Sequence, residues 1–270
     1  MSNTKSVYDI KECLNDRISN VYDIWLYLEE SEQFQNGLDK DLKQHFYHLY
    51  LKCKRNFEAI NILMKSEELP NSYVETTVLL RVMTEGYLHL SYLMMTDKET
   101  VIKEYNILND FKLKQMLNGI NKTYKIKVNN KAELKTLKRL RQTYRKKEII
   151  IPEHFNKMYI LAGKTGNKGI YDSIYQMFNT YVHFNPTTYL SYGSEDGKGI
   201  FTFNSYTPRP YLEARILFYA ISVQMLLLAR IYIYLQIKTV PKYIADYFTN
   251  WEKFKEKDSK VILQNTDDYI

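Results

Sequence analysis

Three polar side chains recur at four-residue intervals within the strongly apolar segment TTVLLRVMTEGYLHLSYLMM. They are Arg81, Glu85 and His89. A spacing of four places such residues on one face of an α-helix. Because a charge is costly to bury without a partner, the stripe indicates either a structural ion pair between Arg81 and Glu85 or the lining of an internal polar pocket.

A second stripe with the same spacing lies in YDSIYQMFNTYVHFNP, where Tyr175, Asn179 and His183 predict another shared helical face. Pro186 indicates that this helix ends just after His183. The helix dipole favours a protonated histidine at a C-terminus, which suits a contact with phosphate or a role as general acid or base. A capping or packing role for His183 stays open beside the functional one.

Positive charge is concentrated in one segment of the chain. Residues 112–147 contain 13 Lys or Arg and a single acid, Glu133, so this segment carries +12 while the whole chain carries +7. Such a patch suits a phosphate-bearing partner, RNA above all, or a solvated helix surface. The candidate ligand-binding residues here are Lys138, Arg139, Arg141 and Arg145.

Other patterns give no metal or cofactor site. His45 and His48 lie one turn apart, but no carboxylate or third histidine stands near them to complete a zinc site, which favours a surface or packing role. The segment Gly163-Lys164-Thr165 does not follow an apolar strand, and Met158 occupies the position where a P-loop has glycine. We therefore expect neither a metal nor a cofactor, and we expect the two cysteines to be reduced thiols.

The scarcity of glycine and proline, nine and six residues, favours long helices. Apolar spacing predicts an N-terminal helical pair within 5–66, core helices within 70–183 and C-terminal helices within 208–257. A β-hairpin is predicted at 187–206 around the loop SEDGK. We expect a single all-α domain, 1–270, with this one hairpin. The individual predicted helices are 8–30, 38–65, 72–95, 98–117, 131–147, 170–183, 211–237 and 242–257.

Two further segments are predicted to lack regular structure: a flexible basic loop at 163–169 and a frayed tail at 258–270. The apolar run 216–229 has 14 uncharged residues, whereas a membrane span needs about 20, which favours a buried core helix. The N-terminus carries acidic residues and no apolar signal region. We therefore expect a cytoplasmic protein without stable membrane insertion.

The two stripes, followed by Asn185-Pro186 and a hairpin, resemble a bacterial family known only as domain of unknown function fifty-six seventy-seven. The resemblance extends over about residues 38–235. Proteins of this kind are similar in architecture to the HEPN superfamily of helical bundles. Many HEPN proteins are metal-independent ribonucleases of toxin, antiphage-defence and RNA-processing systems. The HEPN signature places an arginine four to six residues before the histidine, whereas this chain has Gln176, Met177 and Phe178 in the region before His183.

The resemblance implies a protein that binds RNA or a nucleotide and that could cleave RNA. Cleavage by the 2′-hydroxyl needs a base, an acid and a cation for the phosphorane, roles that His183 and Arg81 could fill. Asn179 and Tyr175 would orient the phosphate or a base, while Glu85 completes the catalytic set and His89 lines the site. HEPN bundles commonly pair, so we expect a homodimer.

Two alternatives remain open. The chain could be a non-catalytic interaction module with a structural Arg/Glu/His network, or it could associate with membranes through residues 216–229.

Overall fold

The computed structural model describes residues 6–70, 72–123, 131–145, 147–182, 188, 191–203 and 208–264, with the backbone alone for 119–123, 131–134, 137 and 182. Its first six helices are α1 (Val7–Glu30), α2 (Glu32–Asn36), α3 (Lys40–Met64), α4 (Tyr73–Met95), α5 (Lys98–Thr123) and α6 (Lys131–Arg145). Short helices α7 (Glu153–Asn156), α8 (Met158–Lys164) and α9 (Lys168–Ile170) lead into a π-helical turn, Tyr171–Gln176, and α10 (Asn179–Val182). Strands β1 (Gly193–Glu195) and β2 (Phe201–Phe203) precede α11 (Pro210–Tyr234), α12 (Lys242–Lys257) and α13 (Ser259–Leu263). The predicted fold class, all-α with one small hairpin, is confirmed.

Helix starts follow local side-chain chemistry. At α1, the Ser6 hydroxyl accepts a hydrogen bond from the Asp9 backbone N–H, and the Asp9 carboxylate accepts one from the Ser6 backbone N–H. This reciprocal pair is a capping box. Asp39 caps α3 through the backbone N–H of Asp41 at 2.9 Å, and Pro210 occupies the first turn of α11, where its missing N–H costs nothing.

The centre of the protein is formed by α4 and α11, whose side chains are buried nearly all round. By length and composition, α11 is the one helix among the described residues that could cross a membrane. However, 78% of its most apolar window is buried inside the protein. The predicted core role of residues 216–229 is therefore confirmed.

Helices α3 and α4 approach each other closely at Gly86. A Cβ atom on Gly86 would stand 2.8 Å from the Cys53 sulfur, closer than such atoms can approach. Gln224 of α11 extends into the same junction, where its side-chain N–H donates to the Cys53 carbonyl at 3.0 Å. Cys53 and Gln224 are both fully buried. The absence of a side chain at Gly86 thus fixes how tightly α3 and α4 pack.

Several predicted boundaries need correction. The first two long helices touch through side chains, with the Trp25 and Phe57 rings 5.4 Å apart, but α1 packs mainly on α11 and α3 mainly on α4. Helix α5 extends to Thr123, beyond the predicted end at Leu117. The tail predicted to fray forms α13 up to Leu263, because Ile262 is buried and its carbonyl accepts a hydrogen bond from Arg215 at 2.9 Å.

The predicted flexible loop 163–169 is ordered by a buried polar network. The Tyr87 hydroxyl and the Arg230 guanidinium both donate to the side-chain oxygen of Asn167, at 2.9 and 3.0 Å. The Asn167 amide in turn donates to the Thr165 hydroxyl at 2.8 Å. The polar side chains that suggest a solvated loop instead form hydrogen bonds with polar groups of α4 and α11.

We predict that Gly86→Ala destabilises the protein by about 1–3 kcal/mol, because the new methyl group overpacks against the Cys53 sulfur. In a Cys53→Ala background the same substitution should be neutral or stabilising by up to about 1 kcal/mol, since alanine is the better helix former. Urea unfolding of the four proteins of this cycle measures both values. An equal loss in both backgrounds would contradict the proposed contact.

Candidate functional site

Arg81 pairs with the second stripe rather than with its own helix. Its guanidinium donates to the Tyr175 hydroxyl at 2.8 Å and lies 4.5 Å from the centre of the Tyr175 ring. No ion pair within 4 Å joins Arg81 to Glu85, so the predicted structural pair is wrong. Burial raises the pKa of Tyr175, and the nearby Arg81 charge partly opposes this shift. The contact links two positions that are 94 residues apart in the chain.

The helix that carries Tyr175 differs from the prediction. Residues 171–176 form a π-helical turn, so the uniform α-helical period that predicts one face for Tyr175 and Asn179 does not apply there. Asn179 begins α10, is half-buried and forms no hydrogen bond with another described residue. His183 lies outside the described residues. Of the predicted catalytic set, the structure therefore places Arg81 and Glu85 one turn apart on α4, with Arg81 beside Tyr175, a predicted ligand-orienting residue.

A cleft opens beside the first stripe, between α3, α4 and α5, with a volume of about 330 Å³. Glu85 and His89 of α4 line it, as the pocket hypothesis predicts. The other lining residues are His45, His48, Leu49 and Lys52 of α3 and Tyr105, Leu108, Asn109 and Lys112 of α5. The volume falls at the lower end of the range of ligand pockets, which begins at about 300 Å³.

The floor of the cleft is the pair formed by His89 and Tyr105. The Tyr105 hydroxyl donates its proton to the His89 carbonyl at 3.0 Å. Because a hydroxyl has one proton, the 3.2 Å contact between His89 Nδ1 and the same oxygen requires Nδ1 to be the donor. His89 Nε2 therefore carries a lone pair, and it has no hydrogen-bond partner within the described part of the chain.

His89 is held neutral. Burial, followed by the positive charges of Lys52, His154 and Lys112, lowers its pKa from 6.5 to about 4. The ring also stacks on Phe155, with centroids 5.6 Å apart. Burial likewise lowers the pKa of His45. The cleft thus combines Lys52, Lys112 and Glu85 with the neutral imidazole of His89.

The sequence analysis does not assign His45, His48, Lys52 or Lys112 to a ligand site, since it gives the two histidines a surface or packing role and treats Lys112 only as part of the basic segment. The first three share one face of α3, since they lie three and four residues apart, and this spacing is the signal that could have found them. No group of three or more His, Cys, Asp or Glu side chains in the described ranges is placed to hold a metal ion. The cleft is therefore a cationic and imidazole-lined site rather than a set of metal ligands.

The predicted basic helix is α6, which we call the basic arm. It packs on α5 through the Tyr144 hydroxyl, which donates to Asp110 at 2.9 Å, and through an ion pair between Asp110 and Lys147. A groove of about 470 Å³ runs between the two helices. Its lining residues are Leu117, Asn118, Lys138, Arg141, Gln142, Tyr144 and Arg145. Arg139, also predicted to bind a ligand, is exposed outside this groove.

The arm and the cleft lie on opposite sides of α5. Asp110, Lys114 and Asn118 face α6, whereas Tyr105, Asn109 and Lys112 face the cleft, and helical periodicity puts these two sets about half a turn apart. The first stripe and the basic arm are therefore separated by α5. The charge near the stripe comes from Lys52 and Lys112 instead.

The protonation of His89 gives a testable pH dependence. Its pKa is about 4 in the folded protein and about 6.5 in the unfolded chain, so the unfolded state binds the proton more readily and stability falls as pH falls below 6.5. Between pH 7 and pH 5 we predict that the wild type loses about 2 kcal/mol more unfolding free energy than His89→Gln. Urea unfolding at both pH values measures this difference. An imidazole NMR titration that places the midpoint of His89 near 6.5 would contradict it.

Comparison with protein-family models gives one match, to a family of unknown function (DUF5677), over residues 44–200. Comparisons with curated proteins and with solved structures give no match. The matched span covers more than half of the chain and contains every residue that lines the cleft and the arm groove. The protein belongs to the DUF5677 family of unknown function.

Proposed function

We propose that this protein binds RNA through the basic arm. The observation that carries the proposal is the absence of acidic partners along the arm. Lys138, Arg139, Arg141 and Arg145 form no ion pair with any carboxylate that the structure describes. A solvated structural helix is usually stabilised by carboxylates four residues from its lysines, and this helix has only Glu133. Uncompensated positive charge of this density favours a polyanion.

The groove residues are suited to a single strand. Lys138, Arg141 and Arg145 lie three and four residues apart, so their charges form one line along the groove and can follow successive phosphates. Gln142 and Asn118 add amide groups that can donate to and accept from base edges. Charged and amide groups in one groove support recognition of an unpaired segment, the part of RNA that proteins read most readily.

The biological setting comes from the family resemblance. A HEPN-like architecture, a cytoplasmic location, a homodimer and a role in bacterial antiphage defence are the finer parts of this proposal. They follow from the similarity to the HEPN superfamily. The buried position of α11 agrees with the cytoplasmic location.

We predict that the triple variant Lys138→Gln/Arg141→Gln/Arg145→Gln weakens RNA binding at least about tenfold and lowers the slope of log Kd against log salt by about 2. Both effects follow from the loss of three counterion-releasing contacts. Fluorescence anisotropy of a labelled 20-nucleotide RNA between 50 and 200 mM salt measures them.

The matched control is Lys253→Gln/Lys257→Gln/Lys260→Gln, which removes the same charge from exposed positions of α12 and α13. It should bind RNA nearly as the wild type does. If both triple variants lose affinity equally, net charge rather than the arm explains binding, and the proposal is wrong.

Metal-independent RNA cleavage is the second candidate function. The observation that favours it is the half-buried guanidinium of Arg81, whose buried Nε has no hydrogen-bond partner among the described residues. A positioned cation of this kind could stabilise a phosphorane. His183 would serve as general acid or base, and Tyr175, Asn179 and Glu85 would complete the site as the sequence predicts.

In EDTA and near-physiological salt, this candidate predicts that the wild type cuts labelled total RNA and that His183→Ala loses about 100-fold or more of the rate. Lys103→Gln, an exposed change on α5 away from the predicted set and the cleft, serves as the control. Equal cleavage by wild type and His183→Ala would point to a contaminating nuclease. If neither protein cuts, the binding function stands without catalysis.

A non-catalytic interaction module is the remaining alternative. The β-hairpin favours it, because Ile200 and Phe203 are 60% and 71% exposed, and clustered exposed apolar side chains mark contact surfaces. An absence of both cleavage and salt-dependent RNA binding would leave this alternative as the best account of the chain.

A further inference from the structure

We propose that the cleft between α3, α4 and α5 binds a single nucleotide bearing a terminal phosphate, separately from RNA binding by the arm. The cleft holds charged, hydrogen-bonding and flat apolar groups within about 330 Å³. Each of these three sets fits one part of a nucleoside monophosphate.

The phosphate would bind between two lysines on opposite walls. Lys52 comes from α3 and Lys112 from α5, and neither forms an ion pair with a described carboxylate. Both charges are felt at His89, whose pKa they help to lower. Two unpaired cations that converge on one cavity favour a compact anion with multiple acceptor oxygens.

The ligand must also donate hydrogen bonds. Two acceptors in the cleft lack a donor within the described part of the chain: the Nε2 lone pair of His89 and the carboxylate of Glu85. Inorganic phosphate has too few protons to satisfy both and would be repelled by the glutamate. Ribose hydroxyls or an exocyclic base amine supply such donors, because each is a neutral N–H or O–H group.

The half-buried His45 ring provides an aromatic surface for the base or sugar. It is backed by the buried Tyr105 ring, whose centroid lies 5.2 Å away. Two leucines, one from α3 and one from α5, extend this surface. Stacking on an aromatic side chain is the usual means of holding a nucleobase. A cleft of about 330 Å³ is large enough for one nucleotide.

The test is calorimetric titration of the full-length protein with the four nucleoside 5′-monophosphates. We expect at least one of them to bind the wild type. Lys112→Gln on the rim should raise its Kd about tenfold, because one of the two cations that bind the phosphate is lost. Lys103→Gln, an exposed charge change on the same helix, should leave Kd unchanged. Lys52→Gln gives a second lysine variant, and thermal unfolding reports whether each variant is folded.

Three controls separate the possible outcomes. The triple variant of the basic arm, Lys138→Gln/Arg141→Gln/Arg145→Gln, should bind the monophosphate as the wild type does. A failure of RNA binding by the arm can therefore be told apart from a failure of nucleotide binding by the cleft. If only a 5′-phosphorylated RNA binds in a Lys112-dependent manner, the natural ligand of the cleft is an RNA end. If a free monophosphate binds in this manner, the natural ligand is a free nucleotide. The inference is overturned if no monophosphate and no phosphorylated RNA end binds in a Lys112-dependent manner, or if Lys103→Gln weakens binding as much as Lys112→Gln.

Discussion

The close packing of α3 against α4 is the constraint on which the rest of the structure depends. It is possible because Gly86 has no side chain where the Cys53 sulfur approaches. Gln224 ties the same junction to α11 from the other side. On α4, Glu85 comes just before this contact and His89 just after it. The distance between α3 and α4 therefore sets how far the side chains of Glu85 and His89 lie from Lys52 on α3. The cleft is therefore a consequence of one helix-helix distance.

Helix α5 divides the positive charge of the chain between two surfaces. On its inner side, Lys112 joins Lys52 in a cleft between three helices, where two cations converge. On its outer side, the arm spaces its cations along a helix, where they act through counterion release. Converging cations suit a compact anion, whereas cations in a row suit a long partner. One basic segment can thus serve two ligands that share phosphate chemistry.

The sequence predicts well what local periodicity determines. The bounds of α1, α3, α4 and α12, the core position of α11 and the hairpin all follow from apolar spacing and breakers. It fails where distant segments decide the structure. The π-helical turn has no local signature, and the bond between Arg81 and Tyr175 joins positions 94 residues apart. Lys52 and Lys112 belong to different helices, so no spacing rule brings them to the same cleft as Glu85 and His89.

Amide chemical-shift mapping tests the central claim most directly, because it observes both surfaces of α5 in one protein. A nucleoside monophosphate that binds should shift the resonances of Lys52, Glu85, His89 and Lys112 and leave those of Lys138 and Arg145 in place. A short single-stranded RNA without a terminal phosphate should show the reverse pattern. If both ligands shift the same residues, the two-surface account is contradicted and the chain has one anion site.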